Sequence, residues 1–220
     1  MPTTPAPLKT ARSTATREDI IVACLQLFAR RGFHNTSISD IANGAGITKG
    51  AIYWHFENKE ALFAAILDKM KQNWQRIVLQ HVDEVDNPRE KIDQLFENFY
   101  LLLVLEPDCS IFLQRLCLEP DGKYSDRLSE AFEKTANFIA AIFEAGKERG
   151  IFKPDLGTKL IAYTIICSLV GAHAQCLTNK NLSLHALVEE IKRGVLARAL
   201  ADGPQVPELL APDEDNQTWQ

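Results

Sequence analysis

Between residues 17 and 201 apolar side chains return every three or four positions, and no stretch alternates apolar and polar residues between hairpin turns. That period allows helices packed on helices and leaves no material for a sheet. Ile20, Ile21, Cys24, Leu25, Leu27 and Phe28 form the first apolar face, which Gly32 stops. Leu62, Phe63, Ile66, Leu67 and Met70 open a long amphipathic helix that the spacing carries past Trp74 towards His81. Pro88 opens another, with Ile92, Leu95, Phe96, Phe99 and Leu102; Pro107 ends it, and a shorter apolar helix follows to about Leu118. Asp121-Gly122 reads as a turn, and Tyr124 to about Arg149 as a helix closed by Gly150. Pro154 precedes an apolar helix, and Ser183 caps a last one carrying Leu184, Leu187, Val188, Ile191, Val195 and Leu196. The expected class is all-α. A flexible arm is expected over residues 1–15, a compact N-terminal domain over 16–60, a larger helical domain over 61–201, and a flexible Pro-rich acidic tail over 202–220.

The chain has 220 residues, of which 46% are hydrophobic, enough for a sizeable core. Its net charge of −5 argues against a protein that is basic throughout. The charge is uneven, however: residues 1–60 carry seven Lys or Arg against five Asp or Glu, and the remainder is acidic. Five cysteines, odd in number and with no C-x-x-C pair, make neither a disulfide framework nor a zinc site. The opening MPTTPAPLKTARSTATRED has no apolar core and is no secretory leader. Leu160–Leu177 is about one membrane span long but contains His173 and Gln175 and lacks flanking aromatic and basic belts. It reads as a helix buried between protein layers, so no membrane partner is expected and the compartment is a reducing cytoplasm. No G-x-S-x-G, H-E-x-x-H, Walker or G-x-G-x-x-G pattern occurs; no enzyme, metal site or cofactor is expected.

The stretch GITKGAIYWHFENKEAL, Gly46–Leu62, concentrates lysines, aromatics and a histidine that an ordinary buried helix would not collect. Ser37-Ile38-Ser39-Asp40 has the form of a capping box and should start a short helix. Gly46 can supply the positive φ of a tight turn, and Thr48 can cap a second short helix to about His55. Two short helices about a glycine turn make a helix-turn-helix, whose second helix suits a DNA major groove. Ile47, Ile52 and Phe56 face the core; Lys49 and Tyr53, four apart, lie on the other side beside Thr48 and Gly50. Asn58 caps the next helix, with Lys59 at its start.

The segment TREDIIVACLQLFARRGFHNTSISDIANGAGITKGAIYWHFENKEALFAAIL resembles the DNA-binding domain of TetR-family transcriptional regulators, and its GAIYWHF core resembles the branch containing repressors of multidrug efflux pumps. The resemblance implies that Thr36 and Ser37 touch phosphate, that Thr48, Lys49, Gly50 and Tyr53 sit at the groove, and that Trp54, His55 and Lys59 lie near the DNA backbone. It also implies a homodimer on duplex operator DNA and a C-terminal domain that binds a small-molecule inducer. An architectural or division-control protein on the same fold, without an inducer, is the alternative.

Read from the residues, Trp54 either stacks on a phosphodiester or packs on a neighbouring helix. Trp74 either lines an inducer cavity or fills a domain interface. Phe96, Phe99, Phe112 and Phe138 are candidate walls of that cavity, and Gln114 and Arg115 either meet a ligand or lie on a helix surface. Ser168, Gly171 and Ala172 on the apolar helix, with Leu187, Ile191 and Val195 on the last one, are the candidate dimer surface. His173 is read as a hydrogen-bonding group across that dimer, and Cys109 and Cys117 as small buried hydrophobes.

Overall fold

A computed structural model of the chain describes residues 17–118 and 125–201. The expected arm, the Asp121-Gly122 turn, the Tyr124 helix start and the tail lie outside the described residues. Among those described, the helices are α1 (Arg17–Arg31), α2 (Ile38–Gly44), α3 (Lys49–His55), α4 (Lys59–Asn73), α5 (Pro88–Leu105), α6 (Pro107–Cys117), α7 (Ser125–Glu148), α8 (Thr158–Thr178) and α9 (Leu184–Ala199). The only extended pairing among them is an isolated bridge between Phe152 and Leu200, so the class is all-α.

The chain divides into two compact units. Of the described residues, one comprises those up to Gln80 and those between Asn98 and Phe132, the other His81–Glu97 and those from Glu133 onward, so the division falls inside α5 and inside α7.

The first unit is built on α1. Its buried face, with Ile20, Ile21, Cys24, Leu25 and Phe28, packs with Phe33, Ile41, Ile52, Phe56, Leu62, Phe63 and Ile66. Cys109, Phe112 and Leu116 of α6 join the same core. Phe112 stacks on Phe28 at 6.0 Å and meets Phe63 edge-on at 5.7 Å, and Phe33 lies edge-on to both Phe28 and Phe63. Arg115 Nε of α6 donates to the Ala29 carbonyl at 3.0 Å. That carbonyl belongs to the last turn of α1, where helical partners run out.

The helix expected to continue towards His81 instead stops at Asn73 and widens into a π-helical turn over Trp74–Val78. The buried Asn98 side chain donates to the carbonyls of Val78 and Gln80, both at 2.9 Å. A side chain thus takes over acceptors that a continuing α-helix would have satisfied, and periodicity does not register such a substitution.

In the second unit α8 packs on α9. The buried side of α8 carries Ile161, Ala162, Ile165, Ile166, Leu169, Ala172 and His173; that of α9 carries Val188, Val195, Leu196 and Ala199. α8 is the one described helix long and apolar enough to cross a membrane by length and composition, though 39% of its apolar window is buried within the protein. Gly146 in α7 is required by a close approach: a Cβ there would lie 2.1 Å from the Phe152 ring. Phe152 in turn packs against Phe143, their centroids 4.9 Å apart.

Candidate nucleic-acid interface

Ser37 stands in extended conformation before α2; its hydroxyl accepts from the Asp40 amide, and the Asp40 carboxylate accepts from the Ser37 amide at 2.8 Å. This completes the expected capping box, and hydrogen bonds from Ser37 hold the Asp40 carboxyl below the usual carboxylate range. The turn after α2 closes through Ala45 N to Ile41 O and Ile47 N to Ala42 O, both at 2.9 Å. Gly46 sits there at φ +67°, where an L side chain would be strained. Thr48 then caps α3, its hydroxyl accepting from the Ala51 amide at 3.2 Å.

With Ile52 buried and Ile47 half-buried, the remaining side of α3 faces out. Lys49 and Gly50 are exposed, Tyr53 is 54% exposed and Trp54 81%. Among the described residues Lys49 and Tyr53 have no hydrogen-bonding or ionic partner, and Trp54 meets only the half-buried His55 ring, edge-on at 4.6 Å. A Cβ on Gly50 would touch only the Thr48 hydroxyl, at 3.7 Å. Among the described residues nothing therefore requires a glycine in a helix, where it is destabilising by about 0.5–1 kcal/mol relative to Ala. Three groups ready for an outside contact, and a glycine with no inside reason, occupy one face.

Two residues expected at phosphate point inward. Thr36 is 1% exposed and its hydroxyl donates to the Gly32 carbonyl at 2.8 Å. Gly32, at φ +84°, ends α1, and the Thr36 hydroxyl fastens the loop beneath it. The Lys59 ammonium donates to the carbonyls of Phe33 at 2.6 Å and Thr36 at 3.0 Å, and lies 4.1 Å from the centre of the Phe33 ring. The loop after α1 is thereby tied to the start of α4. Lys59→Met is expected to lower stability, with DNA absent, by about 1.5–3 kcal/mol, since it removes hydrogen bonds to a charged donor. Chemical denaturation of the unliganded protein checks this; an unchanged midpoint would return Lys59 to a purely external role.

Several of the residues expected around an inducer already have neighbours within the protein. Phe112 belongs to the first unit's core and Arg115 caps α1, as described above. Trp74 lies edge-on to the buried Phe99 at 5.2 Å, Phe96 is buried, Phe138 is half-buried, and Gln114 donates to the Ser110 hydroxyl at 3.3 Å. The first unit instead carries an open polar cleft of about 610 Å³, lined by Glu18, Lys69, Gln72, Asn73, Gln75, Arg76 and Glu106. None of the seven expected ligand residues lines it. The sequence did contain a signal for it: Asn73 follows Ile66 by seven residues, on the apolar stripe of α4, where an amide is out of place.

Of the expected dimer residues, Gly171 is exposed, while Ser168, Leu187 and Ile191 are half-buried. Ala172 and Val195 are buried within the chain, on helices that pack on each other. The outer side of α8 presents Leu160, Thr164, Cys167, Gly171 and Gln175. His173 is also buried in the protomer, and burial holds its pKa below the ordinary histidine value. Cys109 is buried, which pushes its thiol up to about 11, whereas Cys117 is exposed.

Residues 20–66, from α1 into α4, match the family described as bacterial regulatory proteins, tetR family. The HTH-type transcriptional regulator AcrR of Shigella flexneri is 36% identical over 47% of this chain and 46% of its own length. The HTH-type transcriptional repressor KstR2 of Mycobacterium tuberculosis is 30% identical over 66% of this chain and 73% of its own. The fatty acid degradation regulator FadR from Bacillus halodurans superposes with a TM-score of 0.70 at 25% identity, over 82% of this chain and 98% of that one.

Proposed function

The chain belongs to the tetR family of bacterial regulatory proteins, and from that membership we propose that it represses transcription in the cytoplasm as a homodimer on a palindromic or near-palindromic operator. The observation that carries the DNA reading is the outer face of α3, where Lys49, Gly50, Tyr53 and Trp54 stand exposed with no task among the described residues that explains them. Lys49 and Tyr53 reach base edges, while Ser37, Thr48, Trp54 and His55 hold the register on the sugar-phosphate backbone. A related chain named as a repressor supports the sign of the effect.

A dimer presents two such helices, and half-sites one helical turn apart, ~34–36 Å, fit them. The outer side of α8 supports the dimer: Leu160 is 66% exposed and Leu177 48%, and Gly171 lies between them. Footprinting should therefore give two related patches; a single unrepeated patch would count against the dimer. Lys49→Ala and Tyr53→Ala should change which bases are preferred, since a good paired base contact discriminates by about 1–3 kcal/mol. Binding to a randomised operator library reads this. Equal losses on every sequence would reduce α3 to a positioning element.

Release from DNA is assigned to a mostly apolar small molecule. To act as an inducer, such a ligand has to favour a second conformation over the one that binds DNA. By linkage, operator DNA must weaken ligand binding by the factor with which ligand weakens DNA binding. Titrating each partner in the presence and absence of the other measures both factors. A ligand that binds tightly and alters neither affinity is only an occupant.

A further inference from the structure

The polar cleft of the first unit has a composition that its structural role does not explain. Glu18 comes from the first turn of α1, Lys69 and Asn73 from α4, Arg76 from the π-helical turn, and Glu106 stands at the N-cap of α6. Lys69 pairs with Glu18, and Arg76 pairs with Glu106 at 3.5 Å. Arg76 also donates to the Asn73 Oδ1 at 3.2 Å. Asn73 is only 5% exposed, yet among the described residues its amide nitrogen, with two hydrogens to give, meets only the Cys109 sulfur, at 4.0 Å. A thiol is a poor acceptor, and a buried amide donor with nothing better marks a place where an oxygen is wanted. Asn73 is one of the residues lining a cleft whose volume of about 610 Å³ lies in the range of small-ligand sites.

We propose that this cleft is an effector site for a small zwitterion bearing a carboxylate and an ammonium, as a free α-amino acid does. Lys69, Arg76 and the Asn73 amide donate to the carboxylate. Glu106 and Glu18 receive the ammonium, and the amides of Gln72 and Gln75 hydrogen-bond along the ligand. The class follows from charge: two cations and two carboxylates sum to zero. A plain anion would have to face both glutamates, and a plain cation both basic side chains. Each pair has one mostly exposed partner, Glu18 at 59% and Arg76 at 62%, and such pairs hold weakly, so a ligand that supplies both charges exchanges for them at little loss. The exchange loosens α4 from α1 through Lys69 and the π-helical turn from α6 through Arg76. Because α4 follows directly on the α3 reading helix, occupation shifts operator affinity. That last step rests on the DNA-binding reading above, whereas ligand binding itself does not.

The test is calorimetric titration of the full chain, without DNA, against each of the protein amino acids in turn. At least one should bind saturably with one site per chain. Its deaminated acid and its decarboxylated amine should each bind at least roughly tenfold more weakly, as the loss of one charge-assisted contact implies. Arg76→Gln and Glu106→Gln should each weaken binding by a similar factor. A circular dichroism melt checks that the variants fold, and if Arg76→Gln does not, Lys69→Gln makes the same test. The proposal is overturned if no amino acid binds below about 10 mM, if the deaminated acid binds as tightly as the parent, or if the folded variants bind like the wild type. With the ligand identified, operator affinity should change by roughly 5–150-fold on saturation. Saturable binding with no such change would keep the site and remove its link to DNA; failure to bind any DNA would count against the function above and not against the site.

Discussion

Phe112→Ala is expected to destabilise the protein by about 3–5 kcal/mol, the range for emptying a buried phenylalanine site. Phe112 is 1% exposed and is shared by rings from two other helices, Phe28 of α1 and Phe63 of α4. Removing it leaves a hole that these rings fill only by giving up their own packing. The net stability of a domain is typically about 5–15 kcal/mol, so the loss is a large fraction of the whole. DNA binding should fall with it, because α1 packs on α2, α2 packs on α3, and the same core holds Ile41 and Ile52. The alternative role, as the wall of an inducer cavity, predicts the reverse: a nearly unchanged denaturation midpoint and a changed ligand affinity. Phe138→Ala is the companion measurement, since Phe138 is half-buried and should cost less. If Phe112→Ala unfolds within about 0.5 kcal/mol of the wild type, the ring is not part of the core in the manner described.

What was legible in the sequence was short-range. The capping box at Ser37, the Thr48 and Asn58 caps and the positive φ at Gly46 each depend on residues within a few positions, and the structure has them all. Helical spacing likewise found the buried face of α1. What could not be read depends on segments far apart in the chain. Lys59 turns inward because the carbonyls of Phe33 and Thr36, more than twenty residues earlier, converge beneath it. Phe112 joins the first core because α6 packs on α1. Ala172 and Val195 satisfied a helical stripe as well as their exposed neighbours did, and only the packing of α8 on α9 decides which side faces inward. The π-helical turn left no trace in periodicity, since its residues continue the apolar pattern while Asn98 captures the carbonyls.

Gly171→Glu tests the proposed dimer without disturbing the single chain. Gly171 is exposed, and a Cβ placed there meets nothing within 4 Å. Inside one chain the substitution therefore removes no contact and creates no clash. It should even favour the helix by about 0.5–1 kcal/mol, because glycine is a poor helix former. Any harm must come from a second copy. If the outer side of α8 meets its counterpart, a glutamate there sets charge against apolar surface with no cation to pair it, and burying an unpaired charge is prohibitive. The expected result is a folded monomer by sedimentation, with its helix content intact. Operator affinity should then fall on the order of 10²–10⁴-fold, since two linked half-site contacts become one. Affinity for an isolated half-site should be nearly unchanged, because α3 is untouched. A Gly171→Glu protein that sediments as a dimer would place the subunit contact elsewhere. One that sediments as a monomer yet holds the full operator as tightly as before would show that paired α3 helices are not what gives operator binding its strength.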